Sequence, residues 1–191
     1  HFSHLIGVFP AKMITKETCP ELFEAAKRAL DLRLSHGGGY TGWSRAWTSC
    51  FYAVFGDSEK AYEHLKALIC DFATISLLDL HPPRIFQIDG NFGGAAAVCN
   101  MLIQSDNDKT VLLPALPDVW ESGQAKGLCA KGGYVFDFFW ENATVNKIKV
   151  FSKNGGICKI KCDKFSQSLK AQSRNGIIEI NTMPGKPVYI L

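Results

Sequence analysis

The sequence predicts a multidomain α + β protein, with helices first and an antiparallel, strand-rich part after them. Three observations predict it. Apolar residues recur at helical spacing as far as about Asp108. Beyond Lys109 the spacing shortens to an alternation, clear in Ile148 and Val150 against Lys147 and Lys149. Asn154-Gly155-Gly156 and Asn175-Gly176 have hairpin-turn chemistry, because Asn and Gly accept positive φ. A segregated order of this kind places a boundary near Asp108 and gives units 1–108 and 109–191.

The elements follow in order. Pro20 opens a helix as a first-turn proline, and Glu21 and Glu24 sit at its favourable N-terminus. Leu22, Ala25, Ala26, Ala29, Leu30 and Leu32 mark its buried face, and Gly37-Gly38-Gly39 stops it. A second helix runs from about Gly42 to Phe55 and turns at Gly56-Asp57. Asp57 or Ser58 caps a third, which carries Ala61, Leu65, Leu68, Ile69 and Phe72. A fourth follows Asn91 and fades at Ser105-Asp106-Asn107-Asp108. Strands are expected at Thr110–Leu113, Tyr134–Trp140, Val145–Phe151, Ile157–Cys162, Ile177–Ile180 and Val188–Leu191.

Composition excludes several function classes. A hydrophobic fraction of 47% and a charged fraction of 20% are those of an ordinary globular chain. A net charge of +3 without a Lys/Arg cluster argues against a nucleic-acid partner. No apolar run is long enough for a membrane helix. The seven cysteines lack metal or redox spacing, and most fall at apolar positions, where Cys acts as a small hydrophobe. No His/Cys/Asp cluster has metal-ligand spacing, so neither a metal nor a cofactor is expected. The first residue is His rather than Met, and the chain reads as a piece of a longer protein.

The most informative stretch is His81 to Gly94. Pro82-Pro83 sets an extended entry, Phe86 to Ile88 continues it, and the backbone turns at Asp89-Gly90 before the apolar helix. Asp89 and Asn91 thus stand at a helix mouth. They either cap the helix or face a substrate. Trp43 and Trp47 are four apart and share a helix face, as core or as a sugar-stacking surface. Arg45 can pair with Asp89, bind sugar hydroxyls or make a surface ion pair. His81 can orient its loop or touch a ligand.

Several segments together resemble glycoside hydrolase family 95. They are His1-Phe2-Ser3-His4-Leu5, Thr41-Gly42-Trp43-Ser44-Arg45-Ala46-Trp47, Phe86-Gln87-Ile88-Asp89-Gly90-Asn91-Phe92-Gly93 and Leu112-Leu113-Pro114-Ala115-Leu116-Pro117. Arg84-Ile85 departs from the pattern as an insertion. The resemblance implies the C-terminal helices of an (α/α)6-barrel catalytic domain over 1–108, followed by a β-sandwich over 109–191. It implies inverting hydrolysis of α-1,2-linked L-fucose, with a fucosylated glycan and the N-terminal part of the same protein as partners. A closely related α-L-galactosidase activity is the alternative. By motif position Asp89 is the catalytic aspartate that polarises a water-holding asparagine. That asparagine and the acid glutamate lie upstream, so the chain by itself should be inactive. His1, Trp43, Arg45, His81, Gln87 and Asn91 are the expected substrate-binding residues. Two other readings compete: a non-catalytic carbohydrate-binding sandwich, and a purely structural piece. Phe136, Phe138, Phe139 and Trp140 read as core, which weakens the first of these.

Overall fold

Pro20 stands at the start of α1 (Pro20–Ser35), where its missing N–H costs nothing, with Glu21 in the same first turn. α1 buries Phe23, Ala26 and Leu30. Leu22 and Leu32, expected on that face, are 57% and 62% exposed, so the buried stripe is narrower and turned toward Phe23. α2 (Gly42–Phe55) follows Thr41, whose hydroxyl accepts the Ser44 N–H. It ends at Gly56, whose φ of 75° is a left-handed cap that glycine adopts without a Cβ penalty. Asp57 caps α3 (Ser58–Phe72) by accepting the Lys60 N–H at 3.3 Å. α2 and α3 form a hairpin. In it Ser49 donates to the Ala61 carbonyl at 2.7 Å, and the Tyr52 ring stacks on His64. α1 is tied to that hairpin by Lys27–Asp57 at 3.1 Å and Lys60–Asp31 at 2.9 Å.

The computed structural model describes residues 1–191, which divide into two units, His1–Val98 and Cys99–Leu191. In the first, β1 (Leu80–His81) and β2 (Ile85–Phe86) make a small hairpin, with Leu80 opposite Phe86 and His81 opposite Ile85. Pro82-Pro83, expected as an extended entry, is the turn of this hairpin, and the inserted Arg84 lies in the same turn. α4 (Ile88–Leu102) starts directly after Gln87 rather than at Asn91. Asp89 and Gly90 are therefore helical residues of its first turn, and Asp89 is not an N-cap.

Helix gives way to strand earlier than the composition change suggests, at β3 (Ile103–Ser105). The polar run read as a fading helix is the turn between β3 and β4 (Thr110–Leu112). The Asp106 carboxylate holds it, accepting the Asp108 and Lys109 N–H groups at 2.7 and 2.8 Å. The remaining elements are β5 (Gly123–Ala130), β6 (Tyr134–Glu141), β7 (Thr144–Ser152), β8 (Gly156–Lys161), α5 (Gln167–Gln172), β9 (Ile177–Thr182) and β10 (Pro187–Ile190). One sheet has the order β10-β7-β6-β5 and is antiparallel. The other, β3-β4-β8-β9, contains a parallel β4–β8 pair, which corrects the expectation of antiparallel strands alone. The reason is topological. β5 to β7 intervene in the chain before β8 returns beside β4 in the same direction.

Residues of both sheets form one core, with Phe136, Phe138, Ile148, Ile160 and Leu112 almost fully buried. Phe139 is 37% exposed, outside the core expected for it. Its direct strand neighbours Phe138 and Trp140 point inward by ordinary alternation. Asn154-Gly155-Gly156 carries the chain from β7 in one sheet to β8 in the other and is not a hairpin turn. The β6–β7 hairpin turns instead at Asn142-Ala143, both with positive φ, at 49° and 53°. Of the cysteines, Cys50, Cys158 and Cys162 are buried, whereas Cys70, Cys99 and Cys129 are exposed, so the core reading holds for fewer of them than expected. Burial pushes the Cys158 thiol up to about 12 and Cys162 to about 11. No helix is long and apolar enough to cross a membrane.

Candidate active site

The N-terminal turns of α2 and α4 meet at one buried side chain, Asp79. It is 2% exposed and lies between Gly42, the first residue of α2, and Gly90, in the first turn of α4. A Cβ on Gly42 would lie 1.5 Å from one carboxylate oxygen of Asp79, and a Cβ on Gly90 would lie 1.9 Å from the other. Both glycines are therefore places where only a bare backbone fits. No side chain hydrogen-bonds either carboxylate oxygen, and the Leu80 N–H beside them falls short of a full hydrogen bond. Burial drives the Asp79 acid above its usual range; the nearby Leu80 N–H opposes this, the Asp89 charge adds to it and His81 opposes it more weakly.

The loop before α4 is held by main-chain contacts. The Asp79 N–H donates to Asn91 Oδ1 at 2.9 Å, and Asn91 Nδ2 donates to the Leu77 carbonyl. The Gln87 N–H donates to the Asp79 carbonyl at 3.0 Å. Both ends of the Asn91 carboxamide are thus used within the protein. Gln87 is half-buried, with Oε1 enclosed and unpartnered, and His81 is half-buried with Nδ1 against the Pro82 carbonyl. The Asp89 side chain is exposed at the surface of the first turn.

On α2 the aromatic residues form a row. His1 stacks on Trp43 at 5.4 Å, Trp43 meets Trp47 at 5.5 Å, and Trp47 stacks on Phe51 at 5.3 Å. The Trp47 indole N–H donates to the Phe9 carbonyl, which anchors the row. The four-residue spacing of the tryptophans does place them on one face.

Arg45 does not pair with Asp89. Two positions from Trp43, it lies on a different side of α2, where Nη1 donates to His64 Nδ1 at 2.8 Å and the guanidinium lies over Phe72. Burial first, then the positive charges of Arg45 and Lys60, push His64 down to about 4 against a weaker pull from Asp31, so the ring is the neutral acceptor. Asp31 accepts hydrogen bonds from Tyr52 and Lys60. Burial works against its charge, but these bonds outweigh burial and hold it below the usual range. This side of the hairpin opens into a cleft of about 560 Å³ lined by Asp31, Tyr40, Arg45, Tyr52, Lys60 and His64. The structure thus assembles Trp43 with His1, gathers His81, Gln87, Asp89 and Asn91 around the Asp79 loop, and sets Arg45 apart.

Sequence reasoning missed Asp79 and His64. The signal for Asp79 is a lone acid in the apolar run Leu77-Leu78-Asp79-Leu80, and for His64 its helical spacing from Ala61 and Leu68.

Residues 1–102 match the description "Glycosyl hydrolase family 95 catalytic domain", and residues 104–188 match "Glycoside hydrolase family 95, C-terminal domain". The chain belongs to glycoside hydrolase family 95. Among its relatives, Alpha-L-fucosidase 2 of Arabidopsis thaliana is 38% identical over 165 residues, covering 80% of this chain and 19% of the relative. Probable alpha-fucosidase A of Aspergillus oryzae is 34% identical over 161 residues, covering 74% and 22%. Its namesake from Aspergillus niger is 32% identical over 166 residues, covering 76% and 20%. The chain therefore spans about a fifth of the length of these relatives.

Proposed function

We propose that this chain is the C-terminal part of an inverting α-L-fucosidase that releases α-1,2-linked L-fucose from glycans. The observation that carries this reading is the likeness over most of the chain to proteins named as α-fucosidases. The same names favour fucose over the related α-L-galactoside. The helical part, as far as the end of α4 at Leu102, is read as the last helices of an (α/α)6 barrel, and the strand-rich part from β3 onward as a β-sandwich. Exposed Ile75, Leu77, Phe86 and Phe92 support further packing of the helical part on the rest of the protein.

Asp89 serves as the carboxylate that polarises an asparagine-held water. Its exposure at the α4 start leaves it open to an upstream carboxamide. Its negative charge makes that carboxamide a better acceptor for the water's proton, and an upstream glutamate protonates the leaving oxygen. The half-buried Trp43, in the row between His1 and Trp47, offers aromatic surface to the sugar, and Gln87 and His81 border the loop. The full-length protein should release fucose from a 2′-fucosylated lactose, read by sugar analysis with an α-L-galactoside in parallel. Release of neither sugar would remove the reading. This chain alone should release none, because the proton donor lies upstream.

A further inference from the structure

We infer that Asp79 is a positioning residue for this reaction: its carboxylate, seated in a socket between Gly42 and Gly90, sets where α4 starts and thereby where Asp89 stands. The inference rests on the fucosidase reading for Asp89, but its structural half does not.

Three observations carry it. First, the contact is mutual and tight. Each glycine leaves room only for an Asp79 oxygen, at 1.5 and 1.9 Å from where a Cβ would be. Second, the carboxylate is almost wholly buried and under-partnered, with no side-chain donor and only the Leu80 N–H beside it, short of a full hydrogen bond. Such a group costs stability, since native proteins pair nearly all buried polar atoms. A side chain that destabilises the fold while occupying a shaped socket is characteristic of sites where stability is traded for placement. Third, the main chain of Asp79 is fixed independently, by Asn91 Oδ1 on its N–H and by the Gln87 N–H on its carbonyl. The side chain is thus not needed to hold the loop. What it adds is the spacing of two helix starts, and Asp89 is the residue next to Gly90.

The test uses the full-length protein, with steady-state kinetics and thermal melting on each variant. Asp79→Ala empties the socket. Its kcat should fall on the order of 10²-fold, as for a misplacement of about an ångström. KM should stay within about twofold, because Asp79 touches no substrate. The melting temperature should hold or rise, because an under-partnered buried carboxylate is gone. Asp79→Asn fills the same space and should recover most of kcat. Gly90→Ala should lower both kcat and melting temperature, as its Cβ meets the carboxylate. In the Asp79→Ala background the same change should cost no further kcat. Full kcat in Asp79→Ala would overturn the positioning role, and so would a loss that merely follows a fall in melting temperature. Multiplying losses in the double variant would overturn the socket. A wild-type protein that releases no fucose, with the Asp79 and Gly90 effects on melting still coupled, would instead overturn the proposed reaction and leave the socket standing.

Discussion

Arg45 and His64 share one hydrogen bond across the α2–α3 hairpin, Nη1 to Nδ1, at 2.8 Å. The bond requires a neutral imidazole, and burial with the neighbouring cations holds the folded-state value at about 4, against 6.5 for an ordinary histidine. An unfolded chain therefore binds a proton between these values while the folded one does not. Stability from His64 is fully present above about 6.5 and is lost as pH falls toward 4, by up to roughly 3 kcal/mol. Melting of the full-length protein across this window should show the slope, and His64→Asn should flatten it. Equal slopes in the two proteins would mean His64 is protonated in the fold.

Asp89→Asn separates two roles. As a first-turn residue of α4, Asp89 contributes about 0.3–1 kcal/mol through the helix dipole, so melting should change little. As the polarising carboxylate it should be needed for rate, and kcat of the full-length protein should fall by roughly 10²–10⁴-fold. Near-normal kcat would leave Asp89 with the helix alone.

Trp43→Ala removes the middle ring between His1 and Trp47. Because Trp47 remains anchored on the Phe9 carbonyl, the row should persist below it. KM for the fucosylated substrate should rise about three- to tenfold, the worth of one aromatic contact. An unchanged KM would assign Trp43 to packing only.

The β6–β7 turn offers a stabilising substitution. Ala143 has φ of 53° in a two-residue turn after Asn142, and a non-glycine residue there costs about 1–2 kcal/mol. Ala143→Gly makes the favoured Asn-Gly pair and should raise stability by roughly 0.5–1 kcal/mol, after glycine's own entropy cost. Denaturant titration of the full-length protein would show it as a higher midpoint at constant slope, and a lower midpoint would contradict the turn geometry.

Periodicity was enough to find α2 and α3 with the turn and cap between them, since Gly56 and Asp57 act through local backbone chemistry, whereas the Thr41 cap of α2 is seen only in the structure. It failed at β5, where Lys126-Gly127 bulges the strand and glycines dilute its β-propensity. It failed again at Asn154-Gly155-Gly156, because turn chemistry does not say which sheet the next strand joins. In the candidate site, the tryptophan row was legible because it follows one helix face. Arg45–His64 and the Asp79 socket were not, because each joins residues far apart in sequence through tertiary packing.

The Asp79 socket also bears on how this loop and helix start can be moved or diversified. The peptide Phe86 to Gly93 looks portable, but its shape depends on an acid upstream of it and a glycine on another helix. Grafted into a foreign scaffold without both, it would lose the wedge that spaces its helix. A mutant library that varies positions 42, 79 and 90 one at a time would sample mostly collisions at the two glycines. Varied together, the three behave as a single unit of inheritance, and new geometries for Asp89 become reachable only through coordinated changes at all of them.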